Sequence, residues 1–262
     1  MCRSDLTDTA TVVSDRGMVQ IRSVLFNIAF YVNMLVWMLA ILPTLLLPRM
    51  VFMRSARAWA YSCLWLQKVI CGTRYEFRGL ERLPPGGYLV ACKHQSMWET
   101  FALFCLFDDP AFVMKHELRW VPFYGWYTWK SQAVPVKRGG GAASLRQMNA
   151  LAATQAKAGR QIVIFPEGTR TSAGAKPSYK YGIAHMYEQM GMACVPVALN
   201  SGVFWPRRRF LRYPGTIVVE ILETIPPGLD REAFFTVMQS RIEEASDKLI
   251  TEAKIRSARS DA

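Results

Sequence analysis

Cys92-Lys93-His94-Gln95-Ser96-Met97-Trp98-Glu99 is the stretch on which the reading of this chain turns. The apolar run Tyr88-Leu89-Val90-Ala91 leads into it and reads as a buried strand. A helix-like run from Trp98 to Phe107 comes next. His94 is therefore expected where a strand ends and a helix begins, with Glu99 in the first helical turn. Such a junction exposes an imidazole while two rigid elements fix it. The helix N-terminus adds free N–H groups and a positive field. A carboxylate that close can hold one ring nitrogen and leave the other as a base. Alone, a His–Glu pair at this spacing is more often accidental than catalytic, so it needs support from elsewhere in the chain.

Two later segments supply that support. In Gln161-Ile-Val-Ile-Phe-Pro-Glu-Gly-Thr-Arg170 a strand from Ile162 to Phe165 breaks at Pro166 and Gly168 and delivers Glu167, Thr169 and Arg170 at its end. Arg170 is a planar, permanently charged fork suited to phosphate or carboxylate. In Gln132-Ala-Val-Pro-Val-Lys-Arg-Gly-Gly-Gly141 a strand ends in Lys137-Arg138 and then glycines; no G-K-[S/T] closes them into a nucleotide loop. Three strand ends carrying a base, an acid and cations are what an open α/β sheet presents at the carboxyl edge of its strands.

These blocks, over roughly residues 72 to 225, resemble the glycerolipid acyltransferases, and within them the bacterial 1-acyl-glycerol-3-phosphate acyltransferases. Phe165-Pro-Glu-Gly-Thr-Arg170 is the specific part, and Lys115-His-Glu-Leu-Arg-Trp-Val-Pro-Phe-Tyr-Gly-Trp126 resembles the family's second block. Two positions depart from the pattern: Glu99 stands where the family usually has Asp, and Lys93 where it usually has Asn. Glu adds one methylene, roughly 1.5 Å of reach.

The resemblance implies an α/β fold, a mixed, mostly parallel sheet flanked by helices, preceded by a membrane-embedded two-helix motif. It implies transfer of an acyl group from a thioester to the 2-hydroxyl of lysophosphatidate, giving phosphatidic acid. His94 would take the hydroxyl proton and Glu99 would hold the other ring N–H. Arg138 and Arg170 would bind the acceptor's phosphate with help from Lys137; Glu167 would hold a glycerol hydroxyl or buttress Arg170, and Gly168 and Thr169 would line the same subsite. No metal or cofactor is implied; acyl-CoA or acyl carrier protein is the co-substrate. The expected location is the bacterial inner membrane, with the catalytic part facing the cytoplasm.

Composition points the same way. A chain of 262 residues allows one core domain plus an appendage. Being 51% hydrophobic, with eight Trp and thirteen Met, it is rich for a soluble domain and suits a protein that touches lipid. A net charge of +12 calls for an acidic partner. With no Cys/His metal spacing, no recognition-helix pattern and no aromatic RNA-binding signature, an anionic membrane is favoured over nucleic acid. The six cysteines are scattered, as packed, reduced thiols would be.

The chain divides into N-terminal membrane-associated helices (1–71) and a catalytic α/β domain (72–262). From Ser23 to Pro48 no residue is charged. As a helix this run would reach roughly 39 Å, against a hydrocarbon core of about 30 Å. Two arrangements fit: a single span, or a hairpin dipping into one leaflet and broken near Pro43 and Pro48. Residues 51–71 read as a second, amphipathic helix whose Arg and Trp suit an interface. Trp120 to Trp129 is aromatic and reads as core, acyl-chain wall or membrane-facing patch. Ala193 to Leu199 is a strand in which Pro196 calls for an edge or a bulge. Trp205 to Arg212 is a basic, aromatic run, either a solvated cluster or a contact for lipid phosphates.

Two other functions are weighed. A serine hydrolase needs G-x-S-x-G, and Ser96 and Ser201 lack that frame. A non-catalytic anionic-lipid binder explains the charge and the apolar leader but not the two blocks together. Within the acyltransferase class, a lyso-ornithine lipid is an alternative acceptor.

Overall fold

The computed structural model describes residues 5–137 and 139–260. Helix α1 (Asp5–Ala40) runs into a 3₁₀ turn (Leu42–Leu46), and α2 (Arg49–Leu66) returns beside it, closed by a π turn (Gln67–Cys71). Pro43 falls at the first turn of the 3₁₀ segment and Pro48 caps α2, the positions where a missing N–H is tolerated. Asn33 of α1 donates to the Ser62 hydroxyl of α2 at 2.9 Å. The two helices thus pack as a helical hairpin that turns between Pro43 and Pro48.

The sheet contains β1 (Thr73–Arg78), β2 (Tyr88–Cys92), β3 (Pro110–Lys115), β4 (Val134–Val136), β5 (Gln161–Ile164), β6 (Cys194–Leu199) and β7 (Gly215–Ile221). Their order is β1-β7-β6-β2-β5-β3-β4. Neighbours are parallel except β6 and β7, so the sheet is mixed and mostly parallel, as expected. The helices between and after the strands are α3 (Trp98–Leu106), α4 (Tyr124–Lys130), α5 (Gly141–Lys157), α6 (Gly182–Met190), α7 (Ser201–Phe204) and α8 (Arg231–Ser260).

The pleat sorts the core into two layers. In β2 every residue is buried. Tyr88, Val90 and Cys92 face a layer built by α1, α2 and α3, where Phe26, Phe30, Ala60 and Cys63 meet Trp98, Phe101 and Leu103. Leu89 and Ala91 face the opposite layer, where Met148 and Ala152 of α5, Ile183 and Tyr187 of α6, and Phe234, Met238 and Ile242 of α8 pack. Burial on both faces is what a central parallel strand requires, and it explains why the run is apolar without alternation. The four-residue spacing of Phe234, Met238 and Ile242 marks the buried stripe of α8.

Three expectations are sharpened or changed. Pro196 sits in an interior strand, and of the edge or bulge it called for, the bulge is what is found. It is tolerated because β6 pairs regularly with β7 only from Val197↔Ile221, while Cys194 bridges Ile225 beyond. Between these two pairings the β7 side carries one extra residue, a bulge, and the missing N–H of Pro196 falls opposite it. The second change is in α2, whose arginines are not all at a lipid surface. Arg49 makes a two-point contact with Asp109 at 2.6 and 2.5 Å, and Arg57 donates to the carbonyls of Phe104, Phe107 and Asp108 at 2.7–2.9 Å. The latter contacts satisfy orphan carbonyls at the end of α3. Third, the Trp205–Arg212 run splits. Trp205 is buried against Phe26 and Phe30, and Arg212 is buried 4.4 Å over its ring, donating to Arg209, Phe210 and Leu211 carbonyls. Burial pushes the Arg212 guanidinium down to about 10.

Candidate active site

Strands β2, β5, β3 and β4 run parallel, so their C-terminal ends share one edge of the sheet. The chain leaves β2 at Cys92 and β5 at Ile164, on adjacent strands, which brings the His94 loop and the Phe-Pro-Glu-Gly-Thr-Arg turn side by side. The His94 ring stacks on Phe165 at 4.1 Å, inclined by 19°. Thr171 N–H donates to the His94 carbonyl at 2.8 Å and ties the far end of the turn to the same loop. Gly168 takes φ +65°, a left-handed conformation that lets the turn reverse after Glu167.

Glu99 sits in the first turn of α3 and its side chain is fully buried. Its Oε1 accepts from His94 Nδ1 at 2.8 Å, Gln95 N–H at 2.7 Å and Ser96 N–H at 2.6 Å. Its Oε2 accepts from the Ser201 hydroxyl at 2.7 Å. The side chain thus reaches back over the loop, a use for the extra methylene. With Nδ1 donating to this carboxylate, Nε2 carries the lone pair, and the ring is a half-buried base fixed in one tautomer. Gln95 is locked from below: its Oε1 accepts Gly202 N–H at 2.9 Å. A Cβ on Gly202 would lie 2.9 Å from the Gln95 Cβ, so only glycine lets α7 approach this closely.

The other expected site residues are placed unevenly. Arg170 is half-buried at the end of the turn, with no acidic partner among the described residues. Thr169 is exposed and Gly168 half-buried beside it. Glu167 is turned the other way. Its side chain has no exposed surface, and its Oε1 accepts His94 N–H at 3.0 Å. Burial pushes its carboxyl up to about 7, partly offset by that N–H and by the nearby Lys93 ammonium. Expected as a substrate contact, Glu167 is instead a support beneath the His94 main chain. Lys137 is exposed at the end of β4, where it lines a cavity of about 280 Å³ with His116, Arg119 and the first turn of α5. Strands lie about 4.8 Å apart, which puts β4 roughly 14 Å from β2 across β5 and β3. Arg138 lies outside the described residues.

Sequence reading missed Ser201 and Phe165 as parts of the site. Ser201 carries no local signal, being 102 residues from Glu99. Phe165 reads in sequence as the last residue of a strand, and its ring becomes a platform only when β5 pairs with β2.

Comparison with known proteins agrees with this geometry. A family model described as Acyltransferase matches residues 74–200. The chain is 35% identical over 203 residues to the 1-acyl-sn-glycerol-3-phosphate acyltransferase of Pseudomonas aeruginosa, covering 77% of this chain and 79% of that protein. It is 28% identical over 185 residues to the lyso-ornithine lipid O-acyltransferase of the same organism, covering 64% of this chain and 70% of the relative. In fold it is similar to the crystal structure of the 1-acyl-sn-glycerophosphate acyltransferase from Thermotoga maritima, with a TM-score of 0.73, 21% identity, and coverage of 88% of this chain and 98% of that one.

Proposed function

The chain belongs to the acyltransferase family, and from that premise we propose that it moves a fatty acyl group from a thioester to the 2-hydroxyl of 1-acyl-glycerol-3-phosphate, giving phosphatidic acid. The carrying observation is the His94 ring, clamped at Nδ1 by Glu99, with Nε2 unpartnered among the described residues, in contact with the turn that presents Arg170. Nε2 takes the hydroxyl proton as the oxygen attacks the thioester carbonyl. An imidazole with one nitrogen held and the other open is the kind of group that serves as a general base in such a step. Glu99 stabilises the imidazolium that forms. As the tetrahedral intermediate collapses, the C–S bond breaks and the leaving sulfur takes the proton from Nε2, departing as the thiol and restoring the neutral imidazole. The thiol is a good leaving group, so the reaction needs no acyl-enzyme and no cofactor. Arg170, at the end of the turn that follows β5, grips the acceptor's phosphate, with help from Arg138 and from Lys137 at the end of β4.

The substrate is a lipid, and the hairpin supplies the route to it. Arg16–Leu46 is long and apolar enough to cross a membrane by length and composition, and 17% of its most apolar window is buried. The exposed aromatics Trp120, Tyr124, Trp126 and Trp129 extend this surface. Lys130 of α4 donates to the Leu45 carbonyl at 2.8 Å, which rivets the aromatic segment to the tip of the hairpin. The tip enters one leaflet rather than crossing both. A crossing would draw Arg54 and Arg57 of α2 through hydrocarbon at about 2.5–3.5 kcal/mol each. The catalytic face then lies on the cytoplasmic side of the bacterial inner membrane, where acyl-CoA and acyl carrier protein are found.

The test is release of free thiol from acyl-CoA by purified protein, dependent on lysophosphatidate. Arg170→Lys should raise the apparent KM for lysophosphatidate more than for the donor, because Lys loses the two-point fork. The relative that acylates lyso-ornithine lipid makes that the second acceptor to try. If it is used and glycerol phosphate analogues do not compete, the acceptor assignment changes.

A further inference from the structure

Beneath the site lies a charge cluster that the reaction above does not use. Lys93, the residue before His94, is 2% exposed. Its ammonium is 2.5 Å from Glu243 Oε1 and 3.8 Å from Glu167 Oε1. Glu243 comes from α8, 150 residues later, and the same oxygen accepts the Tyr179 hydroxyl at 2.6 Å. Glu243 is 25% exposed, so this end of the cluster reaches solvent. At the other end Glu167 is wholly buried. Its Oε1, the oxygen nearest the ammonium, is the one that accepts His94 N–H at 3.0 Å, and its Oε2 has no partner among the described residues.

One buried cation therefore faces two carboxylates at unequal distances. An ammonium removed from water must stay paired, because an unpaired buried charge is strongly unfavourable. It makes a contact pair with Glu243 and only a long approach to Glu167. The Lys93 ammonium and His94 N–H compete for the same Glu167 oxygen, and Glu243 decides that competition by holding the ammonium on the α8 side.

We propose that Glu243 is a positioning residue for acyl transfer: by anchoring the Lys93 ammonium on α8, it leaves the Glu167 carboxyl to fix the His94 main chain. This rests on His94 being the base. The C-terminal helix thereby takes part in setting the active-site loop, although α8 lies beyond residues 74–200, the span of the family match. Removing the Glu243 charge leaves Glu167 as the nearest counter-charge. The ammonium then draws the carboxyl off His94 N–H, and the loop carrying the imidazole shifts.

The test is a kinetic cycle on the full chain in lipid vesicles. Glu243→Gln should lower kcat by about 30-fold or more with both KM values within about twofold, since a base misplaced by an ångström loses rate rather than affinity. The double variant Lys93→Asn/Glu243→Gln removes the ammonium with its partner and should recover kcat to within about threefold of the parent. A merely structural role would make kcat follow Tm, with the double variant no better than the single. Glu243→Asp keeps the charge and covers the case in which Glu243→Gln does not fold; it should retain kcat to within about tenfold. The proposal is overturned if folded Glu243→Gln keeps kcat within about threefold, or if the double variant shows no recovery. His94→Ala is assayed alongside. If it still turns over, the base assignment has failed and this inference with it. If it is inactive while the double variant shows no recovery, only the positioning role has failed.

Discussion

The loop around His94 and the N-terminal hairpin adjoin the same apolar layer, yet they treat solvent in opposite ways. Around His94 the groups are closed in: Glu99 is buried with four donors, Glu167 is buried beneath the main chain, and the ring lies flat on Phe165. On the hairpin, Ile28, Val32, Leu35, Val36 and Leu39 of α1 are exposed, although Phe26 and Phe30 of the same helix are fully buried. One region holds a few atoms in place; the other offers a continuous apolar surface that water does not favour. Chemistry needs a fixed geometry, and delivery of a lipid needs contact with the lipid phase. The chain places the two side by side and joins them through Phe30, whose ring meets both Phe101 of α3 and Trp205.

Substitutions can separate the two regions. The largest effect should come from His94→Ala, which should reduce turnover by about 10²–10⁴-fold, the range of a lost general base. Vesicle binding should stay unchanged; activity within tenfold of the parent would remove His94 from the chemistry. Phe30→Ala tests the joint itself. It should lower stability by about 3–5 kcal/mol and reduce turnover with it, because the cavity opens beside α3. Loss of membrane binding alone, at normal stability, would mean the hairpin is independent of the site.

Glu167→Gln sharpens the site side. With a folded pKa of about 7 against an ordinary 4.5, the folded protein keeps a proton that the unfolded chain has released. Stability is therefore lost as pH rises from about 4.5 to about 7, by up to about 3 kcal/mol from this group. The glutamine variant lacks that slope. It should match the parent in denaturant unfolding near pH 5 and exceed it by about that amount at pH 8. A difference that stays constant with pH would deny the shift. The smallest effect is expected on the hairpin side. Val32→Ser changes an exposed residue and should leave Tm unchanged while weakening vesicle binding by about 1–2 kcal/mol. An unfolding effect with no change in partition would place Val32 against protein instead of lipid.

By itself the sequence determined which segments form strands, because a residue's local pattern fixes whether it can be buried on one face or two. Tyr88 to Ala91 and Ile162 to Phe165 were legible as buried strands, Ala193 to Leu199 as a strand, and His94 with Glu99 as a junction pair. The apolar leader was equally plain, with a return broken near Pro43 and Pro48 as one of its two readings. Tertiary structure alone decided strand order, hence that β2 and β5 are neighbours and that Phe165 lies under His94. It also decided that Glu167 faces inward, that Ser201 completes the Glu99 shell, and that Lys93 finds its counter-charge on the last helix. These contacts link residues 73, 102 and 150 positions apart, and no local pattern encodes them. They exist because a carboxylate or ammonium drawn into a dry interior must meet a partner there, and only the packed fold brings that partner within reach.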